Sequence, residues 1–211
     1  MKELGSVGSL SRTADQAESA RFWAAGAGPG PWIRAAIDVS EARGLSTLEN
    51  AQILGKLTAT LGDISTTVWD TKYEYDYWRP VTGIRRADED GNAATAQDAG
   101  WTPFITTPAH PSYLSAHAAT GGAAATILAS YLGADTGFCV SNAVATRCWD
   151  SFDAAAEDGA MSRLWGGIHW RFDNEAGLDL GYAVADWTLD AKAFNAVPEP
   201  ASWAMMVLGF G

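Results

Sequence analysis

Lys72 and Arg79 stand seven residues apart in the stretch KYEYDYWRPVTGIR, residues 72–85. Seven residues make nearly two α-helical turns, so both cationic side chains leave one helix face and can converge on a single anionic guest. A second stretch, HPSYLSAHA at 110–118, sets Ser115 and His117 at a helix start, where a hydroxyl, free backbone amides and an imidazole suit an oxyanion. A third, MSRLWGGIHWRFDNEAG at 161–177, offers the planar donor fork of Arg163 and, beyond the Gly166-Gly167 pair, His169. Asp173 lies four residues past His169, close enough to accept one ring N–H and leave the other nitrogen free to attack or to ligate. Taken singly, these stretches read more simply as two solvated surface cations, a capping serine beside a packed histidine, and a surface arginine with a capping aspartate. Together they describe a tetrahedral or trigonal-bipyramidal oxyanion held by a lysine, two arginines, a hydroxyl and amides, with two histidines for chemistry.

Such a constellation needs a rigid frame, and helix signals dominate the chain while strand alternation is scarce. Residues 12–25 read as a helix ended by the Gly26 to Pro31 run, and 31–43 as a second ended by Gly44. Ser46 and Glu49 form a capping box that opens a long third helix, whose Leu54, Leu57, Leu61, Ile64 and Val68 line one apolar face. This helix is expected to run toward Trp78 and to end before Pro80, which lacks an amide donor. Residues 86–111 are rich in Gly, Pro, Asp and Thr and read as a functional loop. An Ala-rich helix follows from Ser112 or Ser115 through Tyr131, closed by Gly133, then helices over 149–164 and 174–193. In the last of these, Leu178, Tyr182, Ala185 and Leu189 recur on one side. The expectation is all-α: one compact helical bundle over residues 1–195, with the motifs between about 45 and 190.

Composition limits the partners. A chain of 211 residues with 47% hydrophobic residues can bury one sizeable core, and a formal charge of −11 argues against nucleic acid, which needs a basic surface. The ten tryptophans read mainly as core packing. Cys139 and Cys148 are either a short disulfide loop of an oxidising compartment or two buried thiols, and neither their spacing nor a nearby histidine suggests zinc. No basic segment followed by an apolar run marks an export signal at the start. The end turns apolar after Pro198, Glu199 and Pro200, and its nine residues from Trp203 to Gly211 fall short of the ~20 that cross a bilayer. That ending, 196–211, resembles a truncated PEP-CTERM sorting tail. The resemblance implies export to the periplasm or cell surface of a Gram-negative bacterium, with a membrane-bound sorting protease as partner.

The three stretches resemble the superfamily of vanadium-dependent haloperoxidases and type 2 phosphatidic acid phosphatases, whose motifs run K-x6-R-P, P-S-G-H and S-R-x5-H-x3-D. Lys72, Arg79 and Pro80 fit the first, and Ser162, Arg163, His169 and Asp173 the third. Ser115 and His117 fit the second, with Leu114 for its proline and Ala116 for its glycine. The wording of the first and third stretches is most similar to the soluble haloperoxidase branch, whose fold is a helical bundle. The resemblance implies that Lys72, Arg79 and Arg163 clamp the oxyanion, that Ser115 and the Ala116 amide donate to it, and that His169 is its axial partner. With vanadate as cofactor, His169 would ligate vanadium and His117 would help activate hydrogen peroxide for halide oxidation. With a phosphoester in the same place, His169 would form a phosphohistidine and His117 would protonate the leaving oxygen. Asp173 orients His169 in both. His110, seven residues before His117, falls where the resemblance puts the halide site and leans toward bromide or iodide. Three functions follow as expectations: a haloperoxidase, a phosphatase, and a non-catalytic oxyanion-binding protein of the envelope. Oligomeric state is not legible.

Overall fold

Helix starts are set by the side chains that can cap them. Thr13 and Ser46 each accept a hydrogen bond from the backbone three residues on, while Gln16 and Glu49 reach back to the cap's own amide. Both α1 (Ala14–Ala24) and α3 (Thr47–Tyr75) therefore open on a capping box. Ser115 and Ser151 accept from Ala118 and Ala154 and so open α5 (Ala116–Leu132) and α6 (Phe152–Trp165). With α2 (Gly30–Ala42), a short α4 (Pro80–Arg85) and α7 (Arg171–Asp190), these make the helical bundle of a computed structural model that describes residues 1–26 and 28–190. The segment at 196–211 read as a sorting tail lies outside the described residues.

Among the described residues the strands are β1 (Phe138–Ser141) and β2 (Thr146–Trp149), an antiparallel hairpin with Cys139 opposite Cys148. A disulfide joins the two, which settles the choice between bridge and thiols. The expected all-helical reading missed this hairpin because four-residue strands are too short to show alternation.

α3 carries its apolar stripe on Ile53, Leu57, Leu61, Ile64 and Val68, all buried, with Leu54 only partly so. Four residues after Val68 the same stripe delivers Lys72 into the interior, 0% exposed. The helix then stops at Tyr75, earlier than expected, where Asp76 adopts a left-handed φ of 42°. Pro80 does more than terminate: it begins α4, its fixed φ suiting a first helical position that needs no amide donor.

α5 runs through the middle of the bundle, packed against α3, α6 and α7. Its buried positions are mostly alanine, glycine and threonine, so its neighbours come close on every side. The line that α7 buries is Asp173, Gly177, Gly181, Ala185 and Thr188, which corrects the expected face. Leu178 and Leu189 pack beside it, partly buried. At Gly181 a Cβ would stand 2.4 Å from the Ala119 carbonyl oxygen and 2.7 Å from the Ala123 nitrogen. At Gly177 it would meet the Ser115 carbonyl oxygen at 2.6 Å, so α5 and α7 touch main chain to main chain. That closeness brings the start of α7, with Asp173, against the start of α5.

Phe22, Trp23 and Trp32 from α1 and α2 share one core cluster with Leu57, Leu128 and Phe152. The N-terminal helices are thus built into the same interior as the motif-bearing ones.

Candidate active site

The Lys72 ammonium spends its three protons on main chain, donating to the carbonyl oxygens of Pro111 at 3.0 Å, Ser112 at 2.8 Å and Leu114 at 2.6 Å. It thereby clips the 111–114 segment beneath the start of α5. Ser115, also fully buried, uses its hydroxyl to cap that helix, accepting from the Ala118 amide at 3.4 Å.

Arg79, the residue before α4, binds four partners. Its Nε donates to the His110 carbonyl at 2.9 Å and its Nη1 to the Ile168 carbonyl at 2.7 Å. Nη1 also meets His169 Nε2 at 2.9 Å, and Nη2 meets His110 Nδ1 at 3.0 Å. A guanidinium has no acceptor, so His169 Nε2 presents its lone pair and the ring proton sits on Nδ1. Nδ1 lies 2.8 Å from Asp173 Oδ2, which fixes that tautomer. The same carboxylate oxygen accepts from the Ser112 hydroxyl at 2.5 Å and the Trp170 amide at 3.1 Å. Ser112 belongs to the site by this contact, although it lies outside the matched motif positions of its stretch.

His117 Nε2 lies 3.0 Å from the Trp23 carbonyl oxygen, which can only accept. The proton is therefore on Nε2, and Nδ1 is left as a base. Arg163 donates to the same Trp23 carbonyl and to that of Ala20, both at 3.3 Å, while its Nε is buried without a hydrogen-bond partner among the described residues. Trp23 is itself pinned: its indole N–H donates to Asp158 Oδ2 at 2.8 Å, and Asp158 also takes Ser19, Trp149 and Arg147 at 2.8, 3.2 and 3.4 Å. α1 and Asp158 thus hold the base and one arginine in place. Sequence spacing carries no signal for either, because their role runs through a main-chain oxygen.

These groups border a cavity of about 260 Å³. Arg79, Arg163, His110, His117 and His169 line it together with Ala116, the first residue of α5. Lys72 and Ser115 are not in the lining and act on it from behind, through the 111–114 carbonyls and the helix cap. The three stretches therefore do meet at one place, with five predicted side chains on the wall and Asp173 behind His169.

Electrostatics show what the wall lacks. Lys72, Arg79 and Arg163 are buried cations, and Asp173 is the one buried carboxylate among the described residues. Two charges are left unmatched in a medium where an uncompensated charge is expensive. Burial, then Arg79, pushes Lys72 down to about 7, with Asp173 pulling the other way. Burial pushes Arg79 and Arg163 down to about 10. His117 falls to about 3 through burial and then Arg163, and His169 lies well below its ordinary value through burial, Arg79 and Lys72. His110 is lowered by burial and Arg79. Burial raises Asp173 despite Ser112, the Trp170 amide and Lys72. A guest with two negative charges would restore the balance, and the start of α5 adds its positive dipole end. The residues fit vanadate or phosphate alike: two arginines, an unpartnered Arg163 Nε, and a histidine lone pair set for ligation or attack.

The family described as VCPO second helical-bundle domain matches residues 52–195. The vanadium chloroperoxidase of Curvularia inaequalis is 25% identical over 181 residues, which takes in 62% of this chain and 29% of that enzyme. The crystal structure of a bacterial vanadium-dependent iodoperoxidase is similar at a TM-score of 0.77 and 25% identity, covering 84% of this chain and 44% of that one. A holo-type bacterial vanadium-dependent chloroperoxidase shares the fold at a TM-score of 0.52 and 19% identity, over 63% of this chain and 34% of the other. The chain spans less than half the length of each of these relatives.

Proposed function

We propose, for a chain that belongs to the VCPO second helical-bundle domain family and so to the vanadium haloperoxidase superfamily, that it binds vanadate and oxidises bromide or iodide with hydrogen peroxide. The observation that carries this reading is the His169 Nε2 lone pair, fixed by Asp173 on the opposite ring nitrogen and facing Arg79, on a cavity wall with two unmatched positive charges. When bound, vanadate supplies the Lewis acidity by which hydrogen peroxide, a halide ion and a proton yield hypohalous acid and water.

The chain's own residues have separable tasks. His169 offers Nε2 as the ligating atom, and Asp173 keeps the proton on the opposite nitrogen. Arg79 and Arg163 neutralise the guest and hold its oxygens. Lys72 keeps the 111–114 segment in place and adds positive potential. His117 Nδ1 takes a proton from peroxide. With burial and Arg163 holding it at about 3, His117 is neutral at ordinary pH and its Nδ1 lone pair is open to a proton. Near His110, Trp69 presents an edge-to-face ring at 4.8 Å, and both line the cavity. Desolvation there is least costly for a large halide, because the Born penalty falls with ionic radius. The Cys139–Cys148 bridge supports the further proposal of a site of action outside the cytosol.

The test is halogenation of a phenolic dye by purified protein given vanadate, peroxide and each halide. Turnover with bromide or iodide, lost in His169→Ala and Arg79→Ala, is the expected result. Hydrolysis of an aryl phosphate without halide oxidation would transfer the site to phosphoester chemistry. Calorimetric vanadate binding with neither activity would leave a non-catalytic oxyanion module.

A further inference from the structure

Trp78 and Trp170 are the chain neighbours of Arg79 and His169, yet they face a different cavity, of about 470 Å³. Tyr75, Tyr77 and Phe172 complete its aromatic wall. The wall is braced from behind. The Trp170 indole donates to the Trp78 carbonyl at 2.8 Å, and its ring lies so near Gly83 that a Cβ there would approach it to 2.9 Å. Trp170 and Phe172 stack at 6.4 Å and 9°, and Phe172 meets Tyr77 edge to face at 5.3 Å. Despite this bracing, Tyr75, Tyr77 and Phe172 remain 64%, 49% and 41% exposed, which is far more ring surface than packing alone requires.

The polar lining has one sign. Asp76, Glu89 and Asp90 border the cavity, and among the described residues no lysine, arginine or histidine does. Arg86 pairs with Glu89, and its guanidinium sits 4.7 Å from the centre of the Trp78 ring. It answers the charge of Glu89 and shows that this wall holds a cation over a ring, while Asp76 and Asp90 keep their charge, Asp90 accepting from the neutral Asn92 amide and Thr95 hydroxyl at 2.8 and 2.7 Å. A hard metal ion is a poor fit, since it requires converging oxygens, and no group of three potential ligands exists among the described residues. An anion is repelled, and a neutral apolar guest leaves the charges of Asp76 and Asp90 unanswered.

We propose that this cavity binds a small organic cation with an aromatic or alkyl body, an arylalkylamine or a quaternary ammonium compound. Its charged head lies toward Asp76 and Asp90, and its body packs among Tyr77, Trp170 and Phe172. The site stands on its own geometry and does not depend on the reaction assigned to the oxyanion cavity, to which it is joined through the Trp78–Arg79 and His169–Trp170 peptide links.

The test is calorimetry on the full chain without vanadate, halide or peroxide, so that its outcome is independent of any catalytic reading. Benzyltrimethylammonium is titrated against benzyl alcohol as the neutral comparison. The cation should bind at least tenfold more tightly. Asp76→Asn combined with Asp90→Asn should remove most of that difference and leave the alcohol unchanged, asparagine being tolerated at the left-handed φ of residue 76. Phe172→Ala should weaken both. Equal affinity for cation and alcohol, an unchanged cation affinity in the double variant, or no binding of the cation at millimolar concentration each overturns the proposal.

Discussion

Raising the pH from 6 to 8.5 should loosen the grip of the oxyanion cavity on a permanent dianion, and Lys72 sets the size of the effect. Its ammonium is held at about 7 by burial and by Arg79. Arg79 and Arg163, at about 10, stay charged throughout this window. His117 stays neutral, at about 3. Lys72 is then the cation that switches. A dianion placed beside it raises its proton affinity, so the bound form keeps the proton while the free form loses it above pH 7, and binding weakens as pH rises. With the proton kept by the bound form throughout this window, linkage gives a loss of affinity of about 30-fold, or about 2 kcal/mol, between pH 6 and 8.5. The assay is calorimetry with sulfate or molybdate, tetrahedral dianions whose own charge is constant over this range, on wild type and Lys72→Met, with circular dichroism checking the fold. Wild type should show the slope and the variant should lack it. A flat wild-type profile, or an identical slope in Lys72→Met, would refute the assignment of Lys72 as the switching charge.

Gly181→Ala forces a methyl into the α5 main chain and should destabilise the protein by about 3 kcal/mol, read as a lower urea midpoint; an unchanged midpoint would mean the two helices are not in main-chain contact. Asp158→Ala strands two indole N–H groups and a hydroxyl, and should cost about 3 kcal/mol of stability while also weakening oxyanion binding, since Trp23 orients His117 and Arg163; Asp158→Asn should fall between. Acid should unfold the protein through its buried histidines. Both His117 and His169 have folded values below the unfolded one near 6.5, so the unfolded chain gains protons first and stability present above that pH is lost as pH falls. At pH 5 the loss from His117 alone should reach about 2 kcal/mol, with His169 adding in the same direction and the raised Asp173 opposing in part, and His117→Gln should lower the slope of a stability-against-pH plot.

Much of the bundle was legible because caps and stripes are local signals. Ser46 with Glu49, the 53–68 stripe and the closing Gly133 each act within a few residues of where they stand. The buried face of α7 was not, since its glycines have no hydrophobicity to register and only the partner helix reveals why they are small. The site divides in the same way. Arg79, His117, Arg163, His169 and Asp173 were readable as residue types at fixed spacing, and they gather at one cavity. The indirect duties of Lys72 and Ser115 were hidden, because spacing shows which side chains can converge and not which carbonyls will intercept them on the way. Lys72 did carry a clue, as the next member of an apolar stripe that leads inward. Trp23, Asp158 and Ser112 left no clue, since their parts depend on a main-chain oxygen or a hydroxyl supplied from a distant segment.

The seam between α5 and α7 has a consequence for protein engineering. With glycine backbone lying on backbone at Gly177 and Gly181, that seam offers no rotamers to exchange, and almost any enlargement is rejected outright. Libraries aimed at a new guest would waste most of their members there. The productive positions are on the α3 side, where Leu61, Ser65 and Trp69 face the cavity through ordinary side chains. Guest preference can therefore drift from one wall while the His169–Asp173 pair, anchored by the other, stays fixed.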